Sequence, residues 1–299
     1  MTGGGWRRRA AVATLAAGGL ALSSPIVRSA VGSRLVARTE RRLCTVTDPG
    51  PYLVPAAADD LHERLTVVDL HADTLLWGRD LLERADRGHV DVPRLVEGHV
   101  ALEVFAVPTH VPRHLNYDAN DDRSDDIRLM ALAQGWPRAA WTSRLARAEY
   151  LAGRLRDAAD RSEGHLVLVR SAGDLAELVA ARAAGGRDLV GALLAIEGAH
   201  ALDDDLANLE RLDAAGYRMV GLVHFFDNAF GGSAHGVVRG GLTALGRDLV
   251  VELERRQILV DVAHASPRTI DDVLAIAQRP VVASHTGVRG VADHARNLS

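Results

Sequence analysis

Several short apolar runs in the sequence end in a histidine or an acidic residue. The residues concerned are His71 with Asp73, Glu197, His224, His264 and His285. Imidazole nitrogens and carboxylate oxygens are typical zinc ligands. A lone histidine after such a run is usually a packing residue, but five run ends in succession with such groups predict a metal site.

The first run, 67–70, is followed by His71 and Asp73. Residues two apart on an extended strand point to the same face, so one imidazole and one carboxylate would face a single cation. His-x-Asp is common by chance, and the apolar strand before it gives the motif its weight. We therefore interpret this pair as one part of a metal site.

Glu197 follows the strongly apolar stretch 193–196. An ionised carboxylate at the end of a buried strand costs much free energy unless it has a partner. A metal is one possible partner, and an arginine or backbone amides are the alternative. Two carboxylate oxygens can bind two cations, so Glu197 is predicted to bridge a dinuclear centre. His264 and His285 would supply the other side of the centre. Two zinc ions held in this way can carry a bridging hydroxide near neutral pH.

The runs belong to a repeated β-α pattern. Short apolar segments predict strands at 66–70, 101–107, 189–196, 219–223, 258–262 and 280–283. Helical periodicity covers 126–159, 172–184, 206–215, 242–256 and 267–278. Near-continuously apolar strands are typical of parallel sheets covered on both faces. Active sites of α/β barrels lie at the carboxyl ends of the strands, where these ionisable residues fall.

Composition and charge narrow the classes of function. The 299 residues have a formal net charge of −4 with both signs interleaved, so no face for nucleic acid is expected. The single cysteine, Cys44, excludes an intrachain disulfide and metal sites with several thiolates. The abundance of Ala, Leu, Val, Arg, Asp and Gly is typical of bacteria with GC-rich genomes.

The N-terminus has the charge order of an export segment. Arg7, Arg8 and Arg9 precede the apolar stretch 10–22. This stretch is shorter than the about 20 residues of a membrane span and lacks a clean cleavage site, so a cleaved signal, an uncleaved anchor and a disordered leader stay open. An export segment would place the rest outside the cytoplasm and allow membrane association. We predict a leader over 1–26, a linker over 27–60 and the barrel over 61–299.

From residue 67 onward, the sequence resembles the membrane dipeptidase (renal dipeptidase-like) family of zinc metallopeptidases, peptidase family M19. The strongest similarity lies in ILVDVAHAS, RPVVASHTG and HARNLS, within residues 258–299. The segments HADT, LLAIEG and LVHFFDN match in the expected order. The resemblance implies a (β/α)8 TIM-type barrel of the metal-dependent hydrolase kind that hydrolyses small dipeptides with two zinc ions per chain.

The resemblance also implies a role for each metal ligand. In the family, the His and Asp of the HxD motif hold one ion, and the matching residues are His71 and Asp73. The two later histidines hold the second ion, and these match His264 and His285. The family's bridging glutamate matches Glu197, which would thereby take part in catalysis.

Two further residues of the family contact the substrate. A histidine after the fourth strand contacts the scissile group, and an arginine after the last zinc histidine binds the substrate carboxylate. The matching residues are His224 and Arg296. His224 would stabilise the oxyanion of the transition state, and Arg296 would select a free terminal carboxylate.

The sequence departs from the family in two respects. The family continues past the position of Ser299 with roughly two β-α units, which normally carry an acidic residue that faces the substrate amine. The resemblance therefore implies a barrel without its final units, a fragment with unpaired strand edges and poor activity. The cysteines that link animal members are also missing, so a covalent dimer is not expected, while another kind of homodimer stays open.

Two alternatives to a dipeptidase remain at this point. Deaminases, lactonases and related barrel amidohydrolases typically open with His-x-His and often use a carboxylated lysine as the bridge, whereas this sequence has His-x-Asp and Glu197. A truncated, inactive metal-binding protein is the second alternative.

Glycines 231, 232 and 236 after His224 are typical of a mobile lid. Surface or packing roles are predicted for eight further histidines, which are His89, His99, His110, His114, His165, His200, His235 and His294.

Overall fold

The chain forms a parallel sheet with helices packed against it. The computed structural model describes residues 25–47 and 50–298. The strands are β1 (Val67–Ala72), β2 (Val100–Pro108), β3 (Leu166–Leu168), β4 (Val190–Glu197), β5 (Tyr217–Gly221) and β6 (Leu259–Asp261). Their order is β1-β2-β4-β5-β6, β3 pairs with β4, and all pairs are parallel. Apart from β3, these strands were predicted from the sequence.

Helices connect the strands. They are α1 (Pro25–Leu43), α2 (Ala56–His62), α3 (Val92–Glu97), α4 (Asp126–Ala133), α5 (Arg144–Arg161), α6 (Ala172–Ala183), α7 (Leu209–Ala215), α8 (Ala244–Arg255) and α9 (Pro267–Ile276). Several begin at a side chain that accepts a hydrogen bond from the first turn, namely Asp91, Asp125, Ser143, Ser171, Thr243 and Ser266. Among the described helices, none is long and apolar enough to cross a membrane. Residues 1–24 of the predicted leader lie outside the described residues.

The two faces of β4 have different surroundings. Leu194 and Ile196 belong to the large buried cluster that also includes residues of α5. Ala195 points to the opposite face, where it clusters with Val104 and Met219 of the neighbouring strands. Alternation along the strand puts Glu197 on the same face as Ala195. The apolar sequence of β4 therefore ends with a carboxylate on the inner face of the sheet.

The region between β2 and β4 differs from the prediction. One long helix was expected over 126–159, but α4 and α5 are separated by a short 3-10 turn, Arg138–Trp141. Gly135 has a left-handed φ of 69°, and Pro137 has no backbone N–H, so a continuous helix is broken there. The unpredicted strand β3 has only three residues, which pair with the start of β4.

The sheet has two edges in the described part of the chain. At one edge, β1 pairs only with β2, and Val68 and Leu70 are exposed. At the other edge, the predicted strand 280–283 is an extended segment beside β6. Val282 N donates to Val260 O at 2.9 Å, and Val262 N donates to Val282 O at 2.8 Å. This segment therefore continues the parallel sheet in the predicted order.

The stretch predicted as a linker, 27–60, contains α1 and α2. Gly32, Val36 and Glu40 are buried at four-residue spacing, so one face of α1 packs on the domain. A Cβ at Gly32 would lie 2.0 Å from the backbone oxygen of Ala133 in α4, so only glycine permits this helix crossing. The linker prediction missed this packing, and the predicted boundaries at 26 and 60 stay predictions.

Glu40 anchors α1 through buried ion pairs. Its carboxylate is fully buried and accepts hydrogen bonds from Arg79 Nε at 2.5 Å and Arg87 Nε at 2.8 Å. Arg79 also donates to the hydroxyl of Thr74, which directly follows Asp73. The network therefore connects α1 to the loop after β1.

Replacing Glu40 by alanine should destabilise the fold. Glu40→Ala leaves Arg79 buried without its carboxylate, which costs about 3 kcal/mol or more in the free energy of unfolding. Chemical denaturation measures this loss. Glu63→Ala is the matched control, because its ion pair with Arg187 is exposed on both sides and is worth less than about 1 kcal/mol. Equal losses in the two variants would contradict the docking of α1.

Glu103 of β2 is a buried carboxyl group without a partner. Among the described residues, neither of its oxygens has a hydrogen-bond partner. Burial, and next the charge of Asp69 on β1, raise the pKa of Glu103 from 4.5 to about 9. The folded state therefore holds this proton more tightly than the unfolded chain. Stability is lost as the pH rises from the unfolded toward the folded pKa value.

The substitution Glu103→Gln should remove this pH dependence, because glutamine keeps the shape but does not titrate. We expect the variant to exceed the parent in stability at pH 8 by on the order of a few kcal/mol. Near pH 4, the two proteins should unfold at similar temperatures. Thermal unfolding across this pH range is the measurement, and a difference that does not change with pH would count against an ionisable, unpaired Glu103.

Candidate metal centre

The predicted metal ligands meet at the carboxyl ends of the strands. His71 is near the end of β1, and Glu197 is the last residue of β4. His264 follows β6, and His285 follows the extended segment 280–283. His224 follows β5. Each of these side chains is thus delivered by a different strand of the sheet.

Glu197 lies at the centre of the group. Its Oε1 is 3.1 Å from His264 Nε2 and 3.5 Å from the Nε2 atoms of His71 and His285. Its Oε2 is 3.4 Å from His224 Nε2. Burial raises the pKa of Glu197 well above its ordinary value. Four imidazoles therefore converge on one buried carboxyl group.

The ligand atoms form two triads that share Glu197. One triad is His71, Glu197 and His285, and the other is Glu197, His224 and His264. Within each triad the ligand atoms lie within 4.8 Å of one another. The resemblance implied a shared ion for His264 and His285, and their Nε2 atoms lie 2.9 Å apart. The ring of His285 also lies 3.7 Å from that of His71, tilted by 36°. The shared carboxylate is the arrangement expected of a bridging ligand.

Asp73 and Arg296 lie at the margin of the group. Asp73 Oδ1 is 3.5 Å from His71 Nε2, and the Asp73 side chain is 43% exposed. Arg296 uses only its backbone atoms in the hydrogen bonds of the described chain. Burial lowers the pKa of Arg296, while the charges of Glu197 and Asp261 raise it, so its guanidinium lies within electrostatic range of the centre.

Burial also controls the protonation of the imidazoles. It lowers the pKa of His224 and His264 well below the ordinary value. Burial and the charge of His71 lower the pKa of His285 to about 3. For His71, burial acts in the same direction, but a hydrogen bond to Asp73 and nearby carboxylates raise the pKa to about 9. Three rings are therefore neutral. His264 Nε2 and His285 Nε2 share a 2.9 Å contact that a cation can replace, and His71 holds a proton that a cation can replace.

Unpaired polar atoms test whether a metal fits. Glu197 Oε2 and His264 Nδ1 are buried and have no hydrogen-bond partner among the described residues. Buried polar atoms are rarely left unsatisfied in proteins. Imidazole nitrogen and carboxylate oxygen form a ligand set typical of zinc. The residues therefore fit a zinc-type centre.

Two residues that the sequence did not single out orient His285. Ser284 Oγ lies 3.0 Å from His285 Nδ1 and donates to Asp261 Oδ2 at 2.6 Å. Asp261 Oδ1 accepts from the backbone N–H of Ser284 at 3.0 Å. His285 Nδ1–H can then donate to Ser284 Oγ, which leaves Nε2 for a metal. The signal in the sequence was an acid inside the apolar run VDV and a serine directly before His285.

Hydrogen bonds and close packing hold the loop after β5. Ser233 N and Val238 N donate to the two carboxylate oxygens of Asp227 at 2.9 and 2.7 Å. Ala234 N donates to the backbone oxygen of His264, which has a left-handed φ of 63°. A Cβ at Gly236 would lie 2.1 Å from Asp227 Oδ1, so this glycine serves close packing. Gly236 thus has a packing role, and the mobile lid suggested by the glycines stays a prediction.

The comparisons with known proteins agree with this geometry. The family model for the membrane dipeptidases, peptidase family M19, matches residues 56–299. The chain belongs to the membrane dipeptidase family. The family resemblance read from the HADT, LLAIEG and ILVDVAHAS segments is thus confirmed.

Curated relatives of this M19 chain include dipeptidases from fungi. An uncharacterised dipeptidase of Schizosaccharomyces pombe is 35% identical over 109 residues, which is 35% of this chain and 26% of the relative. The dipeptidase tcpJ of Claviceps purpurea is 28% identical over 213 residues, which is 71% of this chain and 44% of the relative. The chain thus matches less than half the length of each.

Solved structures of the M19 type are similar as well. The dipeptidase AC is 27% identical with a TM-score of 0.58, covering 78% of this chain and 67% of that one. A metallo peptidase from Rhodobacter sphaeroides, liganded with a phosphinate mimic of L-Ala-D-Ala, is 27% identical with a TM-score of 0.57, covering 78% and 68%. The probable dipeptidase PvdM from Pseudomonas aeruginosa, 22% identical with a TM-score of 0.61 over 81% and 57%, supports the fold alone. The predicted barrel-type α/β fold is confirmed.

We expect this M19 chain to bind about two zinc ions when reconstituted, as its two triads suggest. Glu197→Ala should lose both ions because it removes the shared ligand, whereas His264→Ala should mainly weaken one site. Elemental analysis after equilibrium with limiting chelator measures both effects. His89→Ala, at an exposed position, is the control. Only trace metal in the parent, or one ion retained at full affinity in the Glu197 variant, would contradict the bridging arrangement.

Proposed function

We propose that this protein hydrolyses small dipeptides at a dinuclear zinc centre. The observation that carries the proposal is the convergence of four imidazoles on the buried Glu197. Of these, His71, His264 and His285 would hold the metals together with Glu197 and Asp73, which leaves His224 for the substrate. When bound there, two zinc ions supply a hydroxide nucleophile near neutral pH and a Lewis acid for the scissile carbonyl. Membership of the membrane dipeptidase family supports the same reaction class.

The protein's own residues contribute binding and proton handling. Glu197 would hold the two halves of the centre together, and its buried position excludes competing solvent. His224, neutral because burial lowers its pKa, would donate a hydrogen bond to the oxyanion that develops at the scissile carbonyl. Asp73, partly exposed beside His71, is placed to hold the proton that passes to the leaving amine.

Arg296 accounts for the choice of a dipeptide over a longer peptide. Its guanidinium lies within electrostatic range of Glu197 and has no ion-pair partner among the described residues. A guanidinium can bind a carboxylate through two parallel hydrogen bonds. Arg296 would hold the substrate carboxylate while the scissile carbonyl lies at the centre. The carboxylate then belongs to the residue directly after the scissile bond.

The bridging ligand argues against the main enzyme alternative. Barrel amidohydrolases of the deaminase or lactonase kind often bridge their metals through a carboxylated lysine. The 299 residues contain no lysine, since all basic side chains other than histidine are arginines. The buried Glu197 between the two triads occupies the bridging position instead. The inactive metal-binding alternative predicts bound zinc without dipeptide turnover.

The cellular setting is a separate proposal. We propose that the chain is exported or membrane-anchored, and the support is the order of Arg7–Arg9 and the apolar stretch 10–22. Association with a membrane would then run through this segment, and a homodimer stays a prediction. Fractionation of cells that express the full chain tests the location.

Removal of Arg296 should selectively impair substrates with a free carboxylate. We expect Arg296→Ala to lower kcat/KM for dipeptides by about 2 to 5 kcal/mol in transition-state free energy. The parent should act poorly on C-terminally amidated dipeptides, and the variant should no longer distinguish the two forms. Arg289→Ala is the matched control, because this nearby arginine has only a long contact of 3.9 Å to exposed Asp293. Equal parent activity on free and amidated dipeptides would refute the assignment.

A further inference from the structure

A row of rings runs outward from the metal centre. We call Phe225, His235, His294 and Tyr117 the aromatic wall. The ring of Phe225 lies 5.0 Å from that of the metal-site residue His264. The ring of His235 lies 5.0 Å from Phe225 and 5.4 Å from His264. The inner end of the wall therefore touches the centre itself.

The outer end of the wall reaches the surface. The ring of Tyr117 lies 5.9 Å from His235 and 6.0 Å edge-on from His294. His235 and His294 are 6.0 Å apart. Tyr117 is 69% exposed, whereas His235 is fully buried. Tyr117 and the partly exposed Phe225 and His294 thus offer contact area between the buried centre and solvent.

Hydrogen bonds between two loops hold the wall in place. Asn120 donates to His235 O from its backbone N at 2.8 Å and from its side chain at 3.2 Å. His235 Nδ1 donates to Tyr117 O at 3.0 Å, because a carbonyl oxygen can only accept. Burial lowers the pKa of His235, so its ring is neutral. The loop after β2 and the loop after β5 therefore form one preorganised surface.

The wall is joined to Arg296. Arg296 N donates to His294 Nδ1 at 3.1 Å, which fixes the ring two residues before the arginine. Both Glu197 and Tyr117 act electrostatically on the guanidinium of Arg296. A ligand with its carboxylate on Arg296 and its preceding carbonyl at Glu197 would place the side chain of its last residue beside the wall.

We propose that the aromatic wall binds the side chain of the C-terminal residue of the dipeptide and favours aromatic side chains there. The proposal rests on the proposed function, because it takes the carboxylate to be held by Arg296. Tyr117 is the specificity-determining residue, since it is the exposed member of the wall. Aromatic pairing is worth roughly a two- to tenfold difference in affinity. An acidic side chain would gain nothing from the electron-rich faces of the Phe225 and Tyr117 rings.

Two phosphinate dipeptide mimics test the proposal, one with a benzyl and one with a hydrogen as the C-terminal side chain. Their affinities for the full, zinc-loaded chain are measured by calorimetry, alongside those of Tyr117→Ala and Tyr117→Phe. We expect the parent to prefer the benzyl mimic by about tenfold. Tyr117→Ala should reduce that preference by about three- to tenfold and leave the affinity for the hydrogen mimic within about twofold. Tyr117→Phe should keep the preference, because it keeps the ring.

Leu115→Ala is the matched control, since Leu115 is an exposed apolar residue of the same loop. It should retain the parent's preference. Loss of affinity for both mimics alike in Tyr117→Ala, or a parent without preference, would overturn the aromatic wall. Turnover of Ala-Phe and Ala-Gly is measured in parallel. Selective binding of the benzyl mimic without turnover of either dipeptide would refute the proposed function and leave the wall standing, whereas binding of neither mimic would overturn both.

Discussion

A carboxyl group buried at the end of an apolar strand is the constraint on which the site depends. Glu197 leaves β4 on the inner face of the sheet, where an ionised carboxylate without a cation is very costly. Four strand ends each direct one imidazole toward the Glu197 carboxyl group. Parallel pairing makes this convergence possible, because a one-residue slip of any strand would turn its ligand toward the helices.

The same burial that makes Glu197 costly prepares the rings for a metal. Desolvation keeps His224, His264 and His285 neutral, so their lone pairs are available. Orientation comes from a second set of contacts, such as the path from Asp261 through Ser284 to His285. A bound cation would therefore offset the free energy of burying Glu197, so metal binding and stability would be coupled.

The sequence predicted what depends on strand order and missed what depends on distant contacts. Ligands at successive strand ends were predictable because the carboxyl ends of parallel strands share one edge. The strand β3 was missed because three apolar residues after a helix carry no periodicity of their own. The docking of α1 was missed because Glu40 lies among arginines and its partner Arg79 is 39 positions away. A surface or packing role was predicted for His235, and its contact with Tyr117 could not be foreseen because it spans 118 positions.

Under the proposed function, metal chemistry and substrate recognition fall on different parts of the chain. Strand ends supply His71, Glu197 and His264, so these residues cannot move without changing the sheet. Loops supply Tyr117 and His235, and the segment after His285 supplies Arg296. Loops tolerate change better than strands because few buried contacts depend on them. The preference for a substrate side chain can therefore change while the charges around Glu197 stay the same. The hydrogen bonds between the two loops must then hold the changed surface in position beside Arg296.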